Sequence, residues 1–229
     1  MEINIKDIKV MVAMPCMATI PWQTVQSISE TCIGLQKENI PFIFQMVAGC
    51  SIVEHARTQV CNGFMNSSMN TLFMIDSDIT WTFKDFVRML ALSTKMEVVS
   101  AAYPAKSDKT YFMLKGCAGE LTSNEYGCVP IGGVGLGFTV VQRNVIKQLS
   151  DNAQKVVFPW SAGERIPHIF RCDIDGNEAR GEDMAFFDDC KALGYQLWLD
   201  PEINLGHVGY KEYTGSIKDA MVKKELVCQ

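Results

Sequence analysis

Short apolar runs alternate with amphipathic stretches along the first hundred residues, and this rhythm restricts the fold more than any single residue does. Residues 8–14 (IKVMVAM) form an apolar run closed by Pro15, the pattern of a buried strand. Residues 22–37 place Trp22, Val25, Ile28, Ile33 and Leu35 at helical spacing. Residues 41–47 (PFIFQMV) and 70–75 (NTLFMI) read as further strands, and 98–102 as strand-like. Residues 52–65 and 83–92 read as helices. Such alternation predicts βαβ units, and so an α/β fold with a mostly parallel central sheet flanked by helices. Ligands of these sheets bind beyond the carboxyl ends of the strands. That rule directs attention to residues 15–21, 47–54 and 76–81.

The second half is less regular. The glycine cluster Gly132-Gly133-Val134-Gly135-Leu136-Gly137 precedes an apolar stretch, 138–141, and a helix from Arg143. Residues 152–177 read as loop or hairpin. Within them, Asp173-Ile174-Asp175-Gly176-Asn177 lacks the remaining ligands of a calcium loop and suits a hairpin turn. Residues 181–193 read as a helix closed by Gly194, followed by a short strand at 195–199.

Charge and cysteine usage narrow the function classes. The net charge is −5 and no basic block occurs, which argues against nucleic acid as a partner. No apolar run reaches the roughly 18–20 residues of a membrane span. The first nine residues lack a signal-peptide core. Nine cysteines, an odd number with no CxxC pair, read as reduced core thiols. The expected location is the cytoplasm.

The residues with chemistry in them begin with Asp76-Ser77-Asp78, at the end of the 70–75 strand. Two carboxylates one residue apart at the ligand edge of a sheet offer hard oxygen ligands for Mg²⁺ or Mn²⁺. Alone, the pattern also suits a turn or a helix cap. Other segments join it in order: Ala56-Arg57, then FMIDSDITW, Tyr103-Pro104-Ala105-Lys106 and GGVGLGF, then Gly181-Glu182-Asp183, LGYQLWLDPEI and Gly206-His207. In this order, over roughly residues 10–210, the chain resembles the metal-dependent GT-A glycosyltransferases. The likeness is greatest to family 2-like enzymes of large DNA viruses, phages and bacteria.

The resemblance implies a single GT-A domain over 1–229, with a nucleotide-binding half (1–106) and an acceptor-side half (107–229). It implies a nucleoside diphosphate sugar as donor and a glycan or other hydroxyl compound as acceptor. Asp76, Asp78 and His207 would hold Mn²⁺ or Mg²⁺. Arg57, Asp76, Ser77, Lys106 and Gly133 would face the donor, Arg57 by forking onto phosphate or packing on the base. Thr19 and Gln45, near strand ends, are further candidates, and Trp81 and Trp160 are candidates for stacking on a sugar. Asp183 would act as general base and Glu182 would orient the acceptor, with inversion at the anomeric carbon.

Three alternatives remain open at this point. A nucleotidyltransferase of related fold is disfavoured because Pro15-Cys16-Met17-Ala18-Thr19-Ile20-Pro21 contains no glycine and no basic residue. Transfer to modified DNA bases is disfavoured by the acidic charge. An inactive carbohydrate-binding relative is disfavoured by the joint presence of Asp76, Asp78, Asp183 and His207.

Overall fold

The computed structural model describes residues 7–116, 122–223 and 227–228. Its first half is β1 (Val10–Cys16), α1 (Trp22–Lys37), β2 (Phe42–Ala48), α2 (Val53–Met65), β3 (Thr71–Ile75), β4 (Ile79–Thr80), α3 (Phe83–Ser93) and β5 (Val98–Ser100). Then come β6 (Met113–Lys115), β7 (Val129–Pro130), β8 (Gly133–Val134), β9 (Phe138–Gln142) and α4 (Arg143–Asn152). Two hairpins follow, β10 (Lys155–Val157) with β11 (Arg165–Pro167), and β12 (Asp173–Asp175) with β13 (Glu178–Arg180). The chain continues with α5 (Glu182–Ala192), β14 (Leu197–Leu199), β15 (Gly206–Val208), β16 (Glu212–Thr214), α6 (Ile217–Lys223) and β17 (Val227–Cys228).

Seven strands form the central sheet in the order β2-β1-β3-β9-β5-β14-β7. β1 runs parallel to β2 and β3, and β5 runs parallel to β14. β9 lies antiparallel between β3 and β5, and β7 is antiparallel to β14. The sheet is thus mostly parallel, and its strands feed two separate cores. Along β1, Met11 and Ala13 join α2, α4 and α5 on one face, while Val10, Val12 and Met14 join α1 and α3 on the other. β3 divides likewise, Leu72 and Met74 against Phe73 and Ile75. This period-two division is why these runs are apolar throughout.

The structure corrects the sequence reading in two places. Pro15 does not close β1 but lies within it, paired with Val47. β3 pairs with β1 only over Val10–Ala13, so the missing N–H of Pro15 falls where the strand has one neighbour. Helix α1 has the expected extent, but its apolar residues are divided: Leu35 and Ile28 turn to the core and the others do not. Trp22, Val25 and Ile33 are exposed, while Thr24, Ser27, Thr31, Gly34 and Leu35 are buried. The cause is Trp81. Its backbone N–H donates to Ser27 Oγ at 3.1 Å and its indole N–H to Thr31 Oγ1 at 2.8 Å. Trp81 is therefore a core residue, not a sugar platform.

Arg143 ties the sheet to α2. Its guanidinium donates to the carbonyls of Phe64, Met65, Ser67 and Met69, at 2.6–3.1 Å, around the C-terminal end of that helix. A cation there also complements the helix dipole. Arg143→Met should lower unfolding free energy by at least about 2 kcal/mol, since these are charge-assisted bonds; urea denaturation measures it. No described helix is long and apolar enough to cross a membrane. Cys16, Cys61, Cys128 and Cys190 are buried, Cys32 and Cys50 are half-buried, Cys172 is exposed, and these are free thiols. Cys117 lies outside the described residues.

Candidate functional site

Asp78 and His207 meet because backbone ladders bring them together. After β3, Asp76-Ser77-Asp78 turns the chain into β4, and β4 pairs antiparallel with β15, placing His207 opposite Ile79. The N–H of Val208 donates to the Asp78 carbonyl at 2.7 Å, which fixes the turn against β15. His207 Nε2 lies 3.5 Å from Asp78 Oδ2, and Lys106 Nζ lies 2.5 Å from the same oxygen. Burial works to raise the Asp78 pKa, but His207 and Lys106 overcome it and hold the carboxyl down at about 2.

The other ring nitrogen decides what this pair can bind. His207 Nδ1 lies 2.9 Å from the Pro104 carbonyl oxygen, which can only accept, so Nδ1 carries the proton. In a neutral ring, Nε2 then presents a lone pair. A lone pair facing a carboxylate at 3.5 Å is unfavourable unless positive charge lies between or beside them. The Lys106 ammonium, 2.5 Å from that carboxylate oxygen, supplies such charge, and a divalent cation bound between the two groups would supply more. An imidazole anchored by a carbonyl at its far nitrogen is the usual support for a metal ligand.

Asp76 is engaged differently. Its Oδ1 accepts from Arg57 Nη2 at 2.8 Å, and a Cβ on Gly137 would lie 2.6 Å from its Oδ2. Arg57, on α2, is 4% exposed and also donates through Nε to Glu182 Oε1 at 3.3 Å. Burial alone would depress its pKa, but Asp76 and Glu182 more than offset this and hold the guanidinium above its ordinary value. Its Nη1 is buried with no protein partner among the described residues. A buried charged donor is costly to leave unpaired, so this atom is suited to a partner beyond the described residues, such as an anionic ligand.

Of the three residues expected to hold a metal, Asp78 lies beside His207, and Asp76 is turned to Arg57. Among the described residues no group of three His, Cys, Asp or Glu is arranged to cage a metal. One carboxylate and one imidazole do fit a divalent ion whose remaining ligands are phosphate oxygens and water.

Beside this pair lies a cavity of about 530 Å³. His207, Lys106, Tyr103, Gly135 and Asp183 are all in its wall. Asp183 lies in the first turn of α5 and accepts from the Met184 N–H at 2.8 Å. Burial raises its pKa, the neighbouring Glu182 raises it further, and the Met184 N–H and Arg57 pull it back only in part. Asp183, His207 and Lys106 therefore face one space.

Other expectations fall elsewhere. Gly133 is not in the cavity wall; a Cβ there would meet Met184 Sδ at 3.0 Å. Gln45 packs its amide against Gly63 of α2, within β2 rather than at its end. Trp160 stacks on Phe158 with ring centroids 5.1 Å apart. Ser77 is half-buried in the turn. Tyr103 and Pro104 were noticed only as part of a motif. Tyr103 is wedged between the glycines and His207, its ring 5.0 Å from the imidazole. A Cβ on Gly135 would lie 2.1 Å from the Tyr103 hydroxyl. Gly135→Ala should therefore displace Tyr103 and the ring beside it. With three histidines in the chain, imidazole NMR should show the His207 signal shifted and the other two unmoved.

No family model and no curated protein matches the sequence. Among solved structures, A197 from STIV matches with a TM-score of 0.59 at 18% identity, over 92% of this chain and 91% of that one. GalNAc-T7, solved with UDP, GalNAc and Mn²⁺, matches with a TM-score of 0.53 at 8% identity, over 89% of this chain and 44% of that one. At these identities the likeness is one of fold, and the fold is the α/β GT-A fold of nucleotide-diphospho-sugar transferases.

Proposed function

We propose that this chain is a metal-dependent glycosyltransferase that moves a sugar from a nucleoside diphosphate sugar to an acceptor hydroxyl. The observation that carries the reading is that His207, held by Pro104 and facing Asp78, shares a cavity wall with Asp183. Asp78 and His207 would hold Mn²⁺ or Mg²⁺, which when bound neutralises charge on the departing nucleoside diphosphate. The GalNAc-T7 structure of the same fold contains UDP and Mn²⁺, which is consistent with that role.

Each remaining residue has a part its geometry suits. Lys106 adds a positive charge beside Asp78 and lines the cavity, where it meets a phosphate oxygen or an acceptor hydroxyl. Arg57 offers Nη1 to the donor while Asp76 and Glu182 lock its orientation. Glu182 thus acts through Arg57, and Ser77 sets the turn between the two aspartates. Asp183, kept more basic than an ordinary carboxylate, takes the proton of the attacking hydroxyl. Attack from its side, opposite the leaving group, inverts the anomeric carbon.

The test is turnover with a panel of nucleoside diphosphate sugars and Mn²⁺. The reading expects release of nucleoside diphosphate. Release of pyrophosphate from a nucleoside triphosphate and a sugar phosphate would mean nucleotidyl transfer instead, and sugar binding with no turnover on any donor would mean a non-catalytic relative.

A further inference from the structure

The cavity has two chemically different parts. Asp183, His207, Lys106 and Tyr103 make one polar. The other is walled by Met113 and Leu114 of β6, Val134 of β8, Ala179 of β13 and Met184 of α5. Two cations adjoin this second part, and both are already paired. Lys115 Nζ lies 2.9 Å from Asp188, and Arg180 lies 2.9 Å from Asp188 and 2.7 Å from Asp173. Glu178, also in the wall, is exposed to solvent. With Lys115 and Arg180 engaged by carboxylates, the rest of this wall presents thioethers and methyl groups, which give sugar hydroxyls no directional partner. Hydroxyls pressed against such a surface would lose water without replacement.

Met113 strengthens the point. It is 49% exposed, a large apolar side chain left open next to a cavity. Gly133 contributes by omission, because a Cβ there would crowd Met184 Sδ at 3.0 Å. Methionine pairs of this kind give adaptable apolar surfaces. The space, about 530 Å³, falls in the range of complete small-molecule sites.

We infer that the acceptor is amphipathic, presenting its hydroxyl to Asp183 while an alkyl or aryl group lies on Met113, Leu114, Val134, Ala179 and Met184. This rests on the reading of Asp183 as the base of a glycosyl transfer. No new bond chemistry is required; the apolar group is held, not altered. Each methylene buried on this wall strengthens binding about fourfold.

The experiment uses the full chain labelled at methionine methyl groups, with two probes, octyl β-glucoside below its micelle concentration and methyl β-glucoside. The expected result is that octyl glucoside shifts the Met113 and Met184 signals and binds at least tenfold more tightly. Met17, exposed elsewhere, should stay still. Met113→Ser should cost the octyl compound about tenfold and the methyl compound nothing. Equal affinity for the two probes, or a Met17 shift as large as that of Met113, would overturn the inference. Because the readout is binding, it is independent of turnover. Loss of donor turnover with this binding intact would sink the transfer reading alone; turnover without this binding would sink the inference alone.

Discussion

Asp78→Ala should lower glycosyl transfer by about 10³-fold while leaving the fold in place. The size follows from what the carboxylate does. Metal-borne charge stabilisation of a leaving group amounts to several kcal/mol, and each 1.36 kcal/mol is tenfold in rate. The fold should survive because the link between this turn and β15 is made by the Asp78 carbonyl, not its side chain. His207 remains anchored by Pro104, and Lys106, already 38% exposed, can return to water. Steady-state kinetics across Mn²⁺ concentrations, with a melting curve as control, measure the effect. Full metal-dependent activity in a folded Asp78→Ala protein would remove the basis of the scheme.

Asp183→Asn should reduce kcat by about 10² to 10⁴-fold, the usual contribution of a positioned base, with little change in donor KM. The amide keeps the shape of the carboxylate but cannot accept the proton. The pH dependence carries a sign that can be stated in advance. Burial, then the negative neighbour Glu182, raise the Asp183 pKa from 3.8. A base works when ionised, so activity is full above its pKa and lost as pH falls through it. The acidic limb of kcat/KM should therefore have its midpoint above 3.8. Glu182→Gln removes a raising charge and should move that limb to lower pH. A limb that does not move, together with an Asp183→Asn enzyme within tenfold of wild type, would assign the base elsewhere.

Much of the first half was legible because its signal is local. β3 is apolar on both faces, and Leu72, Phe73, Met74 and Ile75 each enter one of two cores. The extent of α1 was legible for the same reason, but its inward face was not. An apolar face usually turns inward, yet here Trp81 has two N–H groups to satisfy, and only Ser27 and Thr31 can do so. That partnership spans fifty residues or more and leaves no local trace. Pro15 misled in a similar way, since whether a proline ends a strand depends on how far the neighbour extends.

Some of the proximities among these residues were legible in the sequence, and their pairings were less so. Asp78 and His207 do come together, and the glycines beside them are explained by Tyr103 and Asp76, which need the room. The turn of Asp76 toward Arg57 was hidden, because a DxD pattern does not say which carboxylate has a buried guanidinium waiting. The apolar part of the cavity was also hidden. Met113, Val134, Ala179 and Met184 come from four separate elements and share no spacing in sequence.

The most direct test of the central claim is Mn²⁺-dependent binding of nucleoside diphosphates, read as a thermal shift in the wild-type chain and in Asp78→Ala. The account predicts stabilisation only when Mn²⁺ and a diphosphate are present together, approaching about 2.7 kcal/mol at 100 times the dissociation constant. It predicts that Asp78→Ala loses this stabilisation while keeping its own melting transition. A diphosphate that stabilises both proteins equally, or does so without Mn²⁺, would contradict it.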